Sequence, residues 1–144
     1  MGQLRRAGVA VRLVPDGDVA GALEVLLPDG NADVLLGVGG APEGVITACA
    51  VRLLGGDMQA ALAPQSSSEL ERVTAAGHRL DAPLLLDDLV AAEQCCFVAT
   101  GVTVGRLLRA PTPTSGGWRT WTMVSTPRHR CLVIEETHEI EPAR

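Results

Sequence analysis

Hydrophobic and polar positions change period several times along the chain, and each change predicts an element. "GVAVRLVPDGD" is apolar and β-branched up to Pro15, which predicts a strand. "DVAGALEVLLPDG" then spaces its apolar residues as a helix does and stops at Pro28 and Gly30. "ADVLLGVGG" is apolar with almost no alternation, the pattern of a strand buried on both faces. "PEGVITACAVRLLGG" returns to helical spacing, with Pro42 in its first turn and Gly55 past its end. This order is βαβα, and such alternation over short connections predicts a mostly parallel sheet with right-handed crossovers.

The remainder reads differently. "APQSSSELERVTAAGHRLDA" has Ser and Glu at a helix start and polar residues throughout, so a surface helix is expected. "PLLLDDLV" and "CCFVATGVTVGRLL" are short apolar runs, "APTPTSGGW" is loop by composition, and "TWTMVSTPRHRCLVIEETHEI" predicts two strands joined near Pro127. No internal repeat or second domain is marked. The expectation is one α/β domain over residues 1–144, a mostly parallel sheet flanked by helices and closed by a C-terminal hairpin.

Composition sharpens this. The 144 residues are 47% hydrophobic but only 2% aromatic, so the core must be built from Leu, Val and Ala around Phe97, Trp118 and Trp121. A chain of this length can hide roughly 70% of the surface it exposes when unfolded. No apolar run approaches the roughly 18 residues that cross a bilayer, and no signal-peptide core opens the chain, so a cytoplasmic protein off the membrane is expected. "MGQLRR" has Arg6 where a myristoylation signal needs Ser or Thr. The net charge of −5 and pI near 5.1 argue against the basic face that nucleic acid requires, and small-molecule or protein partners are expected. All 12 basic residues are Arg, so any charged clamp on phosphate comes from guanidinium groups. Cys49, Cys95, Cys96 and Cys131 lack C-x-x-C spacing and read as buried free thiols, adjacent Cys95 and Cys96 pointing to opposite faces. His78, His129 and His138 lack metal-type pairing.

Two places carry candidate chemistry. Asp16 and Asp18 lie at the carboxyl end of the first expected strand, where open α/β sheets gather ligands and where carboxylates accept hydrogen bonds from sugar hydroxyls; capping of the next helix is the competing role. "GVGGAPEG", residues 37–44, follows a strand and opens a helix, so its backbone N–H groups favour an anion over Gly39 and Gly40. It is neither a dinucleotide fingerprint nor a P-loop. Glu43, in the first helical turn, either complements the helix dipole or holds a divalent cation bridging to a phosphate.

"PDGDVA", "DVLLGVGGAPEGV" and "RLLGGDMQAAL", in this order and continuing through "LDDLV", "FVATGVT" and "ETHEI", resemble the C-terminal half of class II fructose-1,6-bisphosphatases. The resemblance implies a layered sugar-phosphatase fold and metal-dependent removal of the 1-phosphate of fructose 1,6-bisphosphate, a step of gluconeogenesis. By motif position it implies that Asp16, Gly17, Asp18 and Gly40 contact substrate, that Glu43 is a metal ligand, and that the cofactor is Mg or Mn. Cations there neutralise phosphate charge and orient the attacking water.

Departures matter as much. The family's other acidic ligands lie in G-E-G-E and D-P-[IL]-E-G-T type segments of an N-terminal half, and neither occurs here; the K-P-R-H type segment is absent too. No catalytic residue is therefore assigned, and a chain inactive without an N-terminal half is expected. The alternatives are a non-catalytic module for sugar-phosphate binding or subunit interaction, and a truncated relic. In each case the expected partners are a sugar phosphate and either an N-terminal phosphatase half or further copies of this chain. The unalternating strand runs predict an assembly, since both faces of such a sheet need cover.

Overall fold

The computed structural model describes residues 2–14, 17–105 and 107–139. A short helix α1 (Gly2–Arg6), not anticipated from the sequence, is followed by an unpaired run, residues 9–14. Helix α2 (Asp18–Leu26) and helix α3 (Ala41–Leu54) stand where the periodicity put them, and the Gly55 amide closes α3 on the Arg52 carbonyl at 3.3 Å. Strand β1 (Gln59–Ala60) precedes α4 (Ser67–Ala75), the expected surface helix. Ser66 caps it, its Oγ accepting from the Glu69 amide at 3.2 Å, while the Glu69 carboxylate accepts from the Gln65 amide at 2.8 Å. The run "PLLLDDLV" becomes strand β2 (Leu84–Leu85) and a single helical turn, α5 (Leu86–Leu89).

Strands β3 (Phe97–Thr100), β4 (Thr112–Thr114), β5 (Gly117–Ser125) and β6 (Leu132–Glu139) form the main sheet. β5 is its hub. One edge pairs with β3 at Phe97↔Ser125 through Thr100↔Thr122 and with β4 at Thr112↔Arg119 through Thr114↔Gly117; the other edge carries β6 from Gly117↔Glu139 to Val124↔Leu132. The closing hairpin near Pro127 is present, its turn held by Thr126 and His129 exchanging backbone bonds at 2.8 and 3.1 Å.

The expected parallel sheet is not formed. All strand pairs among the described residues are antiparallel, including the small β1–β2 pair, so the architecture is mixed α/β with antiparallel sheets. Residues 9–14 and 33–39, which the sequence marks as the parallel strands, join no ladder. The physical reason is on their surface: Leu13, Val34, Leu36 and Val38 are exposed, so these runs lack the two-sided cover that an unalternating strand needs. "APTPTSGGW" is also corrected. It is β4 and the Ser115–Gly116 turn into β5, because a partner strand rather than local composition decides the conformation.

The core lies between the helices and one face of the sheet: Leu23 from α2, Ala50 and Leu53 from α3, Phe97 from β3, Leu108, and Trp121 and Met123 from β5. Ala48 and Ala50 are fully buried, and such small side chains let α3 approach its neighbours closely. Arg52 ties α3 to α5 through an ion pair with Asp87.

All four thiols are free, but they are not all buried as expected: Cys96 and Cys131 are exposed, Cys49 and Cys95 half-buried. Cys95 packs on the core while Cys96 faces out, the opposite orientations that adjacency predicts. Burial, and then the neighbouring Cys95, push the Cys49 thiol above its ordinary pKa. Since the thiolate is the nucleophile, alkylation with iodoacetamide at pH 8 is expected to mark Cys96 and Cys131 first and Cys49 last, read by peptide mass spectrometry over a time course.

Candidate functional site

The site is built where two helices begin against one apolar run. Gly17 precedes α2 with φ 91°, a left-handed conformation that glycine adopts without a Cβ penalty. It is the N-cap, and among the described residues no side chain caps the helix, so the capping role considered for Asp18 is not the one observed. Asp18 is instead the first residue of α2, and its carboxylate crosses to the run at residues 33–39. A Cβ added at Gly37 would lie 3.9 Å from Oδ1, and one added at Gly39 would collide with Oδ2. Two residues before Gly37, Leu35 seats on Gly21 of the same helix, where an added Cβ would stand 3.2 Å from Leu35 Cδ1.

α3 opens directly after this contact. Gly40 is its N-cap, with no side-chain cap and with Pro42 in the first turn. The Glu43 side chain folds back over Gly40, so that a Cβ there would collide with its carboxylate. Each acidic side chain thus fills the space that a Cβ at Gly39 or Gly40 would take, and lies directly against the backbone there. Among the described residues neither Asp18 nor Glu43 has a hydrogen-bond or ion-pair partner.

Asp18, Gly40 and Glu43 therefore come together around the Gly39–Gly40 backbone, with Gly17 beside Asp18 at the start of α2; all four are exposed, and Asp16 lies outside the described residues. Two carboxylates beside a helix N-terminus set opposing fields. The N–H groups attract an anion and the acids repel it, so an anion is favoured there once a cation lies between. Among the described residues no three His, Cys, Asp or Glu side chains converge as a metal set.

A second constellation was not anticipated. A cavity of about 360 Å³ is lined by Leu107, Leu108, Arg109, Trp121, Val133 and Glu135, away from the glycine turn. The Arg109 guanidinium lies 5.6 Å over the Trp121 ring, Trp121 Nε1 donates to Glu135 Oε2 at 3.0 Å, and Arg119 pairs with Glu135 Oε1 at 3.2 Å. The alternation of "TWTM" was the available signal, since it puts Trp121 and Met123 on one face; the opposing Glu135 follows only from the β5–β6 register. His138, on β6, shares a hydrogen bond with Thr120 at 2.9 Å. No helix among the described residues is long and apolar enough to cross a membrane.

This turn belongs to a chain whose residues 1–138 match the family described as bacterial fructose-1,6-bisphosphatase, glpX-encoded, and the chain belongs to that family. Among curated relatives it is 43% identical to the fructose-1,6-bisphosphatase class 2 of Haemophilus influenzae, over 74% of this chain and 36% of the relative. It is 39% identical to fructose-1,6-bisphosphatase 2 class 2 of Escherichia coli, over 91% of this chain and 45% of the relative. The chain thus spans less than half the length of these relatives.

Proposed function

We propose that this chain supplies the C-terminal, phosphate-facing part of a class 2 fructose-1,6-bisphosphatase and completes hydrolysis of fructose 1,6-bisphosphate only together with an N-terminal half. The observation that carries this reading is that the Asp18 carboxylate lies against Gly39 and the Glu43 carboxylate against the neighbouring Gly40, in a chain of this family. In this reading Asp16, Gly17 and Asp18 hold the sugar, Gly40 brings backbone close to a phosphate, and Glu43 holds a divalent cation, Mg or Mn. Such a cation keeps most of its water and needs only one or two protein carboxylates besides phosphate oxygens, which this donor set fits. When bound it supplies charge neutralisation and a polarised water. The chain's own residues orient the sugar and present N–H groups to the phosphate; water activation with two cations needs further ligands from outside residues 1–144.

Inorganic phosphate titrated into the isotopically labelled chain, with and without magnesium, tests the reading by amide NMR. Gly40, Ala41, Glu43 and Gly44 are expected to shift, more strongly with magnesium; Pro42 has no amide. A Glu43→Gln variant should lose the magnesium dependence. With fructose 1,6-bisphosphate and either metal, the chain by itself is expected to turn over no faster than that variant. Shifts confined to other amides, or turnover above the variant, would sink the assignment.

A further inference from the structure

Residues 33–39 combine three properties. They make no ladder bonds among the described residues. They are apolar without guard: between Asp33 and Glu43 there is no charge, and native sheet edges are usually blunted by charge, proline or a covering element. And they are seated on one side only. Leu35, 37% exposed, packs on Gly21, whereas Val34, Leu36 and Val38 are 70%, 74% and 90% exposed. Val45 and Ile46 on α3 and Leu13 and Val14 on the first run add to the bare apolar surface. The same stretch ends at the turn that holds Asp18 and Glu43, so whatever covers it lies beside that site.

We infer that residues 33–39 are a seat for strand addition, filled by the polypeptide that makes up the remaining length of the family's chains. The occupant is identified by length and pattern together. The chain covers 36–45% of its class 2 relatives, so those relatives hold more polypeptide than this chain matches. The unalternating pattern of "DVLLGVGG" fits a strand with neighbours on both edges and cover on both faces. An added strand satisfies the N–H and C=O groups of residues 33–39, which have no backbone partner among the described residues, and its layer covers Val34, Leu36 and Val38, in the manner of other strand-addition complexes. A second copy is the weaker occupant: it brings the same carboxylates and no basic residue within residues 33–46 to meet them. The inference rests on the reading under Proposed function and names the partner of that site.

The test is coexpression of the 144-residue chain with the part of the Haemophilus influenzae class 2 relative that it does not match, followed by sedimentation and hydrogen exchange. A one-to-one complex burying upward of about 1,000 Å² is expected, with exchange of the amides at residues 33–39 slowed on the order of tenfold or more. Leu36→Glu and Val38→Glu change exposed side chains, so the chain should fold and fail to associate, while Val104→Glu, at a position 92% exposed elsewhere, should associate normally. A complex that leaves residues 33–39 exchanging freely, a homodimer that protects them instead, or a monomer indifferent to the added part overturns the inference. Turnover is read separately. Protection without turnover would retain the seat and remove the catalytic reading; turnover without protection would do the reverse.

Discussion

Replacing Trp121 by alanine is expected to lower the free energy of unfolding by about 3–5 kcal/mol, the usual cost of truncating a buried tryptophan. Trp121 is 8% exposed and belongs to the cluster that joins α2, α3, β3 and β5, so its loss leaves a cavity bounded by several elements that cannot all close on it. Two polar contacts go with it, the Nε1 bond to Glu135 and the ring under Arg109. Glu135 keeps its half-exposed pairing with Arg119, which contributes little by comparison. Trp121→Phe separates the terms: most of the apolar burial stays, the N–H is lost, and the expected cost falls to about 1–2 kcal/mol. Urea unfolding followed by circular dichroism reads both. Equal costs for the two variants would mean that the hydrogen bond, not packing, dominates.

In a complete enzyme assembled around this chain, Glu43→Gln is expected to lower turnover by about a hundredfold or more while leaving the melting temperature unchanged. The estimate starts from neighbours of metal ligands, whose loss typically costs 10–100-fold in affinity or activity, about the least a direct ligand should cost. Stability is spared because Glu43 is exposed, with no hydrogen bond or ion pair among the described residues. Gln keeps the shape and removes the charge. A matched loss of turnover and melting temperature would assign Glu43 to holding the helix start. Restoration of turnover by raised manganese concentration would support metal ligation.

Helices α2, α3 and α4 were legible because their signals are local. Pro42, Gly55 and the Ser66–Glu69 pair act within a turn or two, and each does in the structure what its position implies. Strand partnership was not legible, because "DVLLGVGG" and "TMVSTPRHRCLVI" both announce strands while only the second carries its partner a short turn away. The parallel sheet was inferred from alternation of elements, a rule that presumes the neighbours are present in the same chain. At the candidate site, residue types pointed to the glycine turn, but that Asp18 crosses to Gly39 instead of capping α2 depends on how α2 lies against residues 33–39, which no local pattern encodes.

β5 pairs with every other strand of the main sheet, and its longest pairing, with β6, closes over a tight turn. That arrangement separates the chain in time as well as in space. A hairpin of this kind forms in about 1–10 μs, and β4 joins across a two-residue turn, so β4, β5 and β6 assemble through short loops whose closure costs little entropy, while β3 reaches β5 over the longer span between Thr100 and Thr122. Folding of residues 112–139 can therefore begin from their own local contacts, which would give the helices a template already in register. Hydrogen exchange pulsed during refolding should find β5 and β6 protected before α2.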